Sequence, residues 1–139
     1  MTMNAPRRKG FARYPLAWFA TAILLAGCAS QPLVIPDNLT AGEIFQHAQD
    51  AVEKGNYDLG ISYYSLFKEK HPEDSQRGAW ASYEIAFLYH KMGKDAKALS
   101  LIEELLSLYS TDKGALPAAP RILAVKLKTR LSEKAPPNS

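Results

Sequence analysis

The feature that most limits how this 139-residue chain can fold is an internal match at a spacing of 38 residues. With Gly55 aligned on Gly93, Ala48 meets Ala86, Ala51 meets Tyr89, Gly60 meets Ala98, Tyr64 meets Ile102 and Phe67 meets Leu105. Small residues meet mostly small ones and bulky residues meet bulky ones, so one supersecondary unit is used twice. A unit of that length cannot bury its apolar face alone and has to stack on its neighbour.

Each unit reads as two helices. Thr40-Ala41-Gly42-Glu43 has the form of a capping box, in which each side chain satisfies the other residue's free backbone N–H. Ile44, Ala48, Ala51 and Val52 follow on one face, and Gly55 stops the helix. A second helix is expected from about Tyr57 to Lys70, with Ile61, Tyr64 and Phe67 on one side and His71-Pro72 at its end. No strand pattern interrupts the helical spacing before Leu131. Carried onward, the 38-residue register places Leu123, Ala124 and Leu127 where Ile85, Ala86 and Tyr89 stand. Ala48, Ala86 and Ala124 fall where neighbouring helices must approach closely. Gly60 sits where alanine is usual, at a cost of about 1 kcal/mol in helix propensity.

This pattern resembles the tetratricopeptide repeat, a helix-turn-helix unit of about 34 residues. The resemblance implies an all-α fold of antiparallel helix pairs: repeats at about 41–74 and 79–112, then a C-terminal capping helix at about 118–134, within a domain spanning 40–134. Asp74 to Gly78 would extend the first helix of the second repeat. Residues 135–139 read as a disordered tail. A five-helix bundle with accidental self-similarity is the alternative.

The N-terminus has a different logic. Arg7, Arg8, Lys9 and Arg13 precede the apolar run Leu16 to Leu25, and Leu25-Ala26-Gly27-Cys28 closes it with the one cysteine of the chain. That order is a secretory signal, and its end resembles the lipobox of bacterial lipoproteins. The resemblance implies a cleaved signal peptide at 1–27, a diacylglycerol on Cys28 and an acylated tether at 28–39. With about ten strongly apolar residues, the run is too short to span a bilayer, which takes about 20. The formal charge of +3 also belongs to this segment. Four of the 17 basic residues and none of the 14 acidic ones precede Cys28, leaving 13 against 14 in the mature part. A nucleic-acid partner is therefore not expected. With Cys28 acylated no thiol is left for a disulfide.

No catalytic constellation is present, and an enzyme is not expected. Ser and His residues lack a nucleophile motif, and His47, His71 and His90 have no metal-ligand spacing. No cofactor is expected beyond the covalent lipid. The helix from Trp80 to Met92 is instead apolar on more than one face. Trp80, Tyr83, Phe87, His90 and Lys91 fall at the positions that line the concave, peptide-binding groove of tetratricopeptide proteins. The equivalents are Phe45, Gln49 and Val52 on one side and Arg121, Val125 and Lys128 on the other. Such a groove suits an extended or helical segment with apolar anchors and a carboxylate. Alternatively the small solenoid closes over this stripe, and the residues alone leave both readings open.

Gly55-Asn56-Tyr57, Phe67, His71-Pro72 and Ala81-x-x-Glu84-x-Ala86 are similar to the envelope subgroup of these repeats, which includes the barrel-assembly lipoprotein of the outer membrane and the coordinator of the Tol-Pal system. The likeness implies a lipid-anchored scaffold for another envelope protein, in assembly, secretion, pilus or polysaccharide-export machinery. An accessory activator of an envelope enzyme, such as a peptidoglycan synthase or hydrolase, is the alternative. Ala29 and Ser30 lack the aspartate that marks inner-membrane retention in enterobacterial lipoproteins, so the periplasmic face of the outer membrane is expected. Two and a half repeats leave an edge open to homodimerisation. Cys28→Ser is expected to release the protein from membranes while its circular dichroism stays that of the wild type; a variant that still sediments with envelopes would show that partners rather than lipid hold it there.

Overall fold

The computed structural model describes residues 36, 38–111 and 116–134. The signal peptide expected at 1–27, the lipidation expected at Cys28, most of the tether expected at 28–39 and the tail expected at 135–139 lie outside the described residues. The described residues fall within one compact unit. The described residues are all-α, with five helices and no strand. They are α1 (Ala41–Glu53), α2 (Tyr57–Lys70), α3 (Ser75–Lys91), α4 (Asp95–Thr111) and α5 (Ala118–Lys134). None of them is long and apolar enough to cross a membrane.

Local chemistry sets the helix ends. Thr40 Oγ1 accepts from the Glu43 amide at 3.3 Å while the Thr40 amide donates to Glu43 Oε2 at 2.8 Å, the reciprocal box expected from the sequence. Asn56 Oδ1 accepts from the Leu59 amide to cap α2, and Asp74 Oδ1 accepts from the Arg77 amide to cap α3. The 38-residue register is visible in the backbone itself. Gly55 and Gly93 both adopt φ +74°, the left-handed region where a side chain is strained. Gly55 and Asn56 donate to the carbonyls of Val52 and Ala51, and Gly93 and Lys94 donate to those of His90 and Tyr89. Both pairs have the bonding of a Schellman motif, so α1 and α3 end identically.

Sequence neighbours pack side by side in antiparallel fashion. Along α1 and α2, Phe45 meets Tyr64 and Phe67, His47 stacks on Tyr63 at 5.3 Å, and Val52 lies over Gly60. Along α4 and α5, Tyr109 Oη donates to the Pro117 carbonyl at 2.7 Å, Glu103 pairs with Lys128 at 2.9 Å and Asp95 pairs with Lys134 at 2.9 Å.

Two apolar clusters result, and α3 belongs to both. Ile44, Ala48, Tyr64, Phe67, Ala81, Ile85 and Leu88 form the first. Ala79, Tyr83, Ala86, Ala98, Ile102, Leu105, Ala124, Leu127 and Leu131 form the second. The three close-approach alanines, Ala48, Ala86 and Ala124, are fully buried.

Gly60 is a matter of space rather than torsion. A β-carbon there would lie 2.7 Å from Val52 Cγ2 and 3.4 Å from the Ala48 carbonyl oxygen. The equivalent pair in the next unit is His90 opposite Ala98, so the two units divide the room differently. Alanine at 60 gains about 1 kcal/mol of propensity, but crowding costs about 1–3 kcal/mol, and a helical valine has little rotamer freedom with which to yield. Gly60→Ala is therefore expected to lower the thermal midpoint, whereas Gly60→Ala added to Val52→Ala should raise it. Additive effects in that double-mutant cycle would show that the two side chains do not compete for this space.

Candidate functional site: the aromatic face of the third helix

The two buried edges of α3 lie on nearly opposite sides of the helix, since Ala81, Ile85 and Leu88 precede Tyr83 and its neighbours by two residues, or about 200° of rotation. Two stripes are left between them. Gly78, Ser82 and Tyr89 occupy one, and Arg77, Trp80, Glu84, Phe87 and Lys91 occupy the other.

The second stripe holds the residues singled out by sequence. Their rings form a ladder along the helix. Trp80 to Tyr83 is 6.4 Å with planes at 81°, Tyr83 to Phe87 is 6.0 Å at 15°, and Phe87 to His90 is 6.4 Å at 50°. Offset and edge contacts of this kind lock the rings against one another. Tyr83 is only 9 % exposed and belongs to the second cluster, packed with α4 and α5; Trp80 and Phe87 are half-buried against the same cluster, and Lys91 is exposed. The stripe is thus closed at its inner edge and open at its outer one. On α1, Phe45 and Val52 are half-buried in the first cluster and Gln49 is exposed.

The residues chosen on α5 do not join them. Lys128 reaches Glu103 of α4 at 2.9 Å, and Arg121 lies beside Tyr109 of α4. Val125 points outward at 48 % exposure. The α5 cations on the α3 side are Arg130, whose charge acts on Tyr83, and Lys134. His90 Nδ1 lies 2.7 Å from Asp95 Oδ1, and Asp95 Oδ2 accepts from Lys134 Nζ at 2.9 Å. This bridge ties the end of α3 through the first turn of α4 to the end of α5.

Sequence reasoning also passed over Glu84 as a site residue, although it stands four residues after Trp80 and three before Phe87. Its charge acts on both Tyr64 of the first cluster and Tyr83 of the second, which places it at the seam between them. Burial raises its carboxyl above the usual range. Burial, and then Glu84, push the Tyr64 hydroxyl up to about 12. An acidic residue at helical spacing within an aromatic stripe was the available signal.

A second concavity opens on the opposite stripe of α3. One cavity of about 430 Å³ is lined by His71, Ser75, Gly78, Ser82 and Leu108 among others, and it continues past Ile85, Leu101 and Leu105 between α2 and α4. His71 Nε2 is buried there without a hydrogen-bond partner. Among the described residues no cluster of His, Cys, Asp or Glu could hold a metal ion. No protein-family model, curated protein or solved structure matches the chain.

The Asp95 carboxyl is held below its ordinary value of 3.8 by the bonds from Lys134 and then His90. A carboxyl with a depressed pKa in the folded state contributes stability above its unfolded value and loses it as pH falls through the folded one. The last turn of α5 should accordingly show lower amide protection, relative to the intrinsic exchange rate, at acid pH, and Asp95→Asn should reproduce that at pH 7 by no more than about fivefold, as expected for an exposed pair. Equal protection in variant and wild type would mean that apolar contacts alone hold the helix end.

Proposed function

We propose that the protein is a lipid-anchored, tetratricopeptide-like adaptor that docks a segment of another cell-envelope protein on the outer stripe of α3. The observation that carries this reading is the ladder Trp80-Tyr83-Phe87-His90, fixed by ring contacts on its inner side and left open on its outer side. Preordered aromatic side chains at the edge of a rigid helix suit docking because little conformational entropy remains to be lost on binding. The matched Schellman turns and the three buried alanines at 38-residue intervals support the repeat architecture.

The lipobox at Leu25 to Cys28 supports anchoring. A residue with two or three acyl chains anchors stably where one chain does so only marginally. Pro32 and Pro36 favour an extended tether of about ten residues, at most roughly 3.3–3.6 Å each. The docking face would then lie within some tens of ångströms of the bilayer, on the periplasmic side of the outer membrane. A scaffold of this kind holds a partner in place and needs no catalytic residue of its own.

A photo-reactive phenylalanine analogue introduced at Phe87 tests the reading in living cells. Covalent capture of one or a few discrete envelope proteins is expected, and capture should fall sharply when Trp80→Ala is added. An equivalent probe at exposed Gln46 serves as the control surface. Identical capture from both positions, or none from Phe87, would remove the aromatic stripe as the docking face.

A further inference from the structure

Glu84 is the residue that the apolar architecture does not account for. Its side chain is half-buried at the seam of the two clusters, and among the described residues no ion pair or hydrogen bond engages its carboxylate. The cations around it do not serve it: Arg77 is bonded to Asp74 at 2.6 Å and stacked over Phe67, Lys91 stands seven residues away at the end of the helix, and the charge of Arg130 on α5 acts on Tyr83 rather than on Glu84. A charge partly withdrawn from water and left unpaired carries a desolvation cost.

The repeat supplies its own control. At the positions equivalent to Glu84 stand Gln46 on α1 and Ile122 on α5, both exposed. Neither equivalent is acidic, so the carboxylate is particular to α3 and not a feature of the repeat. Nothing in helix packing demands a carboxylate, and nothing nearby compensates for one.

The surroundings indicate what would. Trp80 lies one turn before Glu84 and Phe87 one turn after it, with Tyr64 and Tyr83 to either side. Aromatic faces attract a cation through their quadrupole, and a carboxylate between them adds a charge-assisted hydrogen bond at the same point. We propose that the α3 face is built to receive a lysine or arginine side chain of the docked segment, its ammonium or guanidinium held by Glu84 and flanked by Trp80 and Phe87. Arg121 and Lys128 of the basic wall expected from sequence are turned to α4, which leaves Glu84 as the acidic group of a face bordered by Lys91 and Arg130. This inference rests on the docking role proposed above and specifies the chemistry of the partner.

The test uses the detergent-solubilised full chain and a random heptapeptide phage library as the probe. Selected peptides are expected to share a lysine or arginine at one position. Glu84→Gln, a substitution of nearly unchanged shape, should weaken the selected peptides about tenfold, and Trp80→Ala with Phe87→Ala should abolish their binding. The carboxyl-carbon resonance of Glu84 gives a second readout, since its pKa should fall when a bound cation compensates the charge. Peptides without a basic residue, or peptides indifferent to Glu84→Gln, overturn the cation assignment while leaving the docking face intact. Peptides indifferent to both variants, or no selection at all, overturn the docking face as well.

Discussion

The packing of α3 on two opposite sides is the constraint on which the rest of this structure depends. Ala81, Ile85 and Leu88 complete a cluster with α1 and α2, while Ala79, Tyr83 and Ala86 complete another with α4 and α5. Neither outer pair has enough apolar surface of its own to form a core. A helix committed on two sides retains two narrow stripes, and the width of each is fixed by how far apart its neighbours stand. The aromatic face and the α2–α4 cavity are those two stripes. Each is therefore a consequence of the shared helix, and a change in the burial of Ile85 or Tyr83 would alter both.

Much of this was legible in the residues because the signals were local. The Thr40–Glu43 box, the stop glycines at 55 and 93 and the small residues at 48, 86 and 124 each act within a turn or across one close contact, and each appears where the spacing places it. The two helices of the first unit follow from such signals, and the other three follow from the 38-residue register. The clusters follow too, since Ile44, Tyr64, Phe67, Ile102 and Leu105 take the buried positions that the 38-residue register assigns.

The side assignment on α5 was not legible, and the reason is geometric. In a stacked array, the groove between two first helices is lined by the forward side of one and the backward side of the next. Position 83 on α3 is a forward position, facing α4 and α5. Its equivalent, Arg121, is also a forward position, but α5 is the last helix of the described residues and none of them packs against that side. It settles beside Tyr109 at the rim, as Lys128 settles on Glu103. The backward side of α5 carries Leu123, Arg130 and Lys134 instead. Carrying one register around the whole array names the right helix turns and the wrong side of the terminal helix, because the identity of a face depends on the neighbour and not on the position number.

The same internal comparison separates what the fold needs from what α3 alone carries. Trp80 corresponds to Gly42 and Ala118, and Phe87 corresponds to Gln49 and Val125. Glycine and alanine stand exposed at the outer equivalents of Trp80, so its ring is particular to α3, whereas alanine is kept and fully buried at 48, 86 and 124. Large aromatic rings half-exposed on a central helix pack their inner sides on the second cluster and leave apolar surface outside it. Their concentration on the one helix whose turns are fixed from both sides gives the surface rigidity that a terminal helix would lack, since the ends of a stacked array open more readily than its middle. Position and rigidity thus agree: the face most suited to holding a partner is the one whose supporting helix is least free to move.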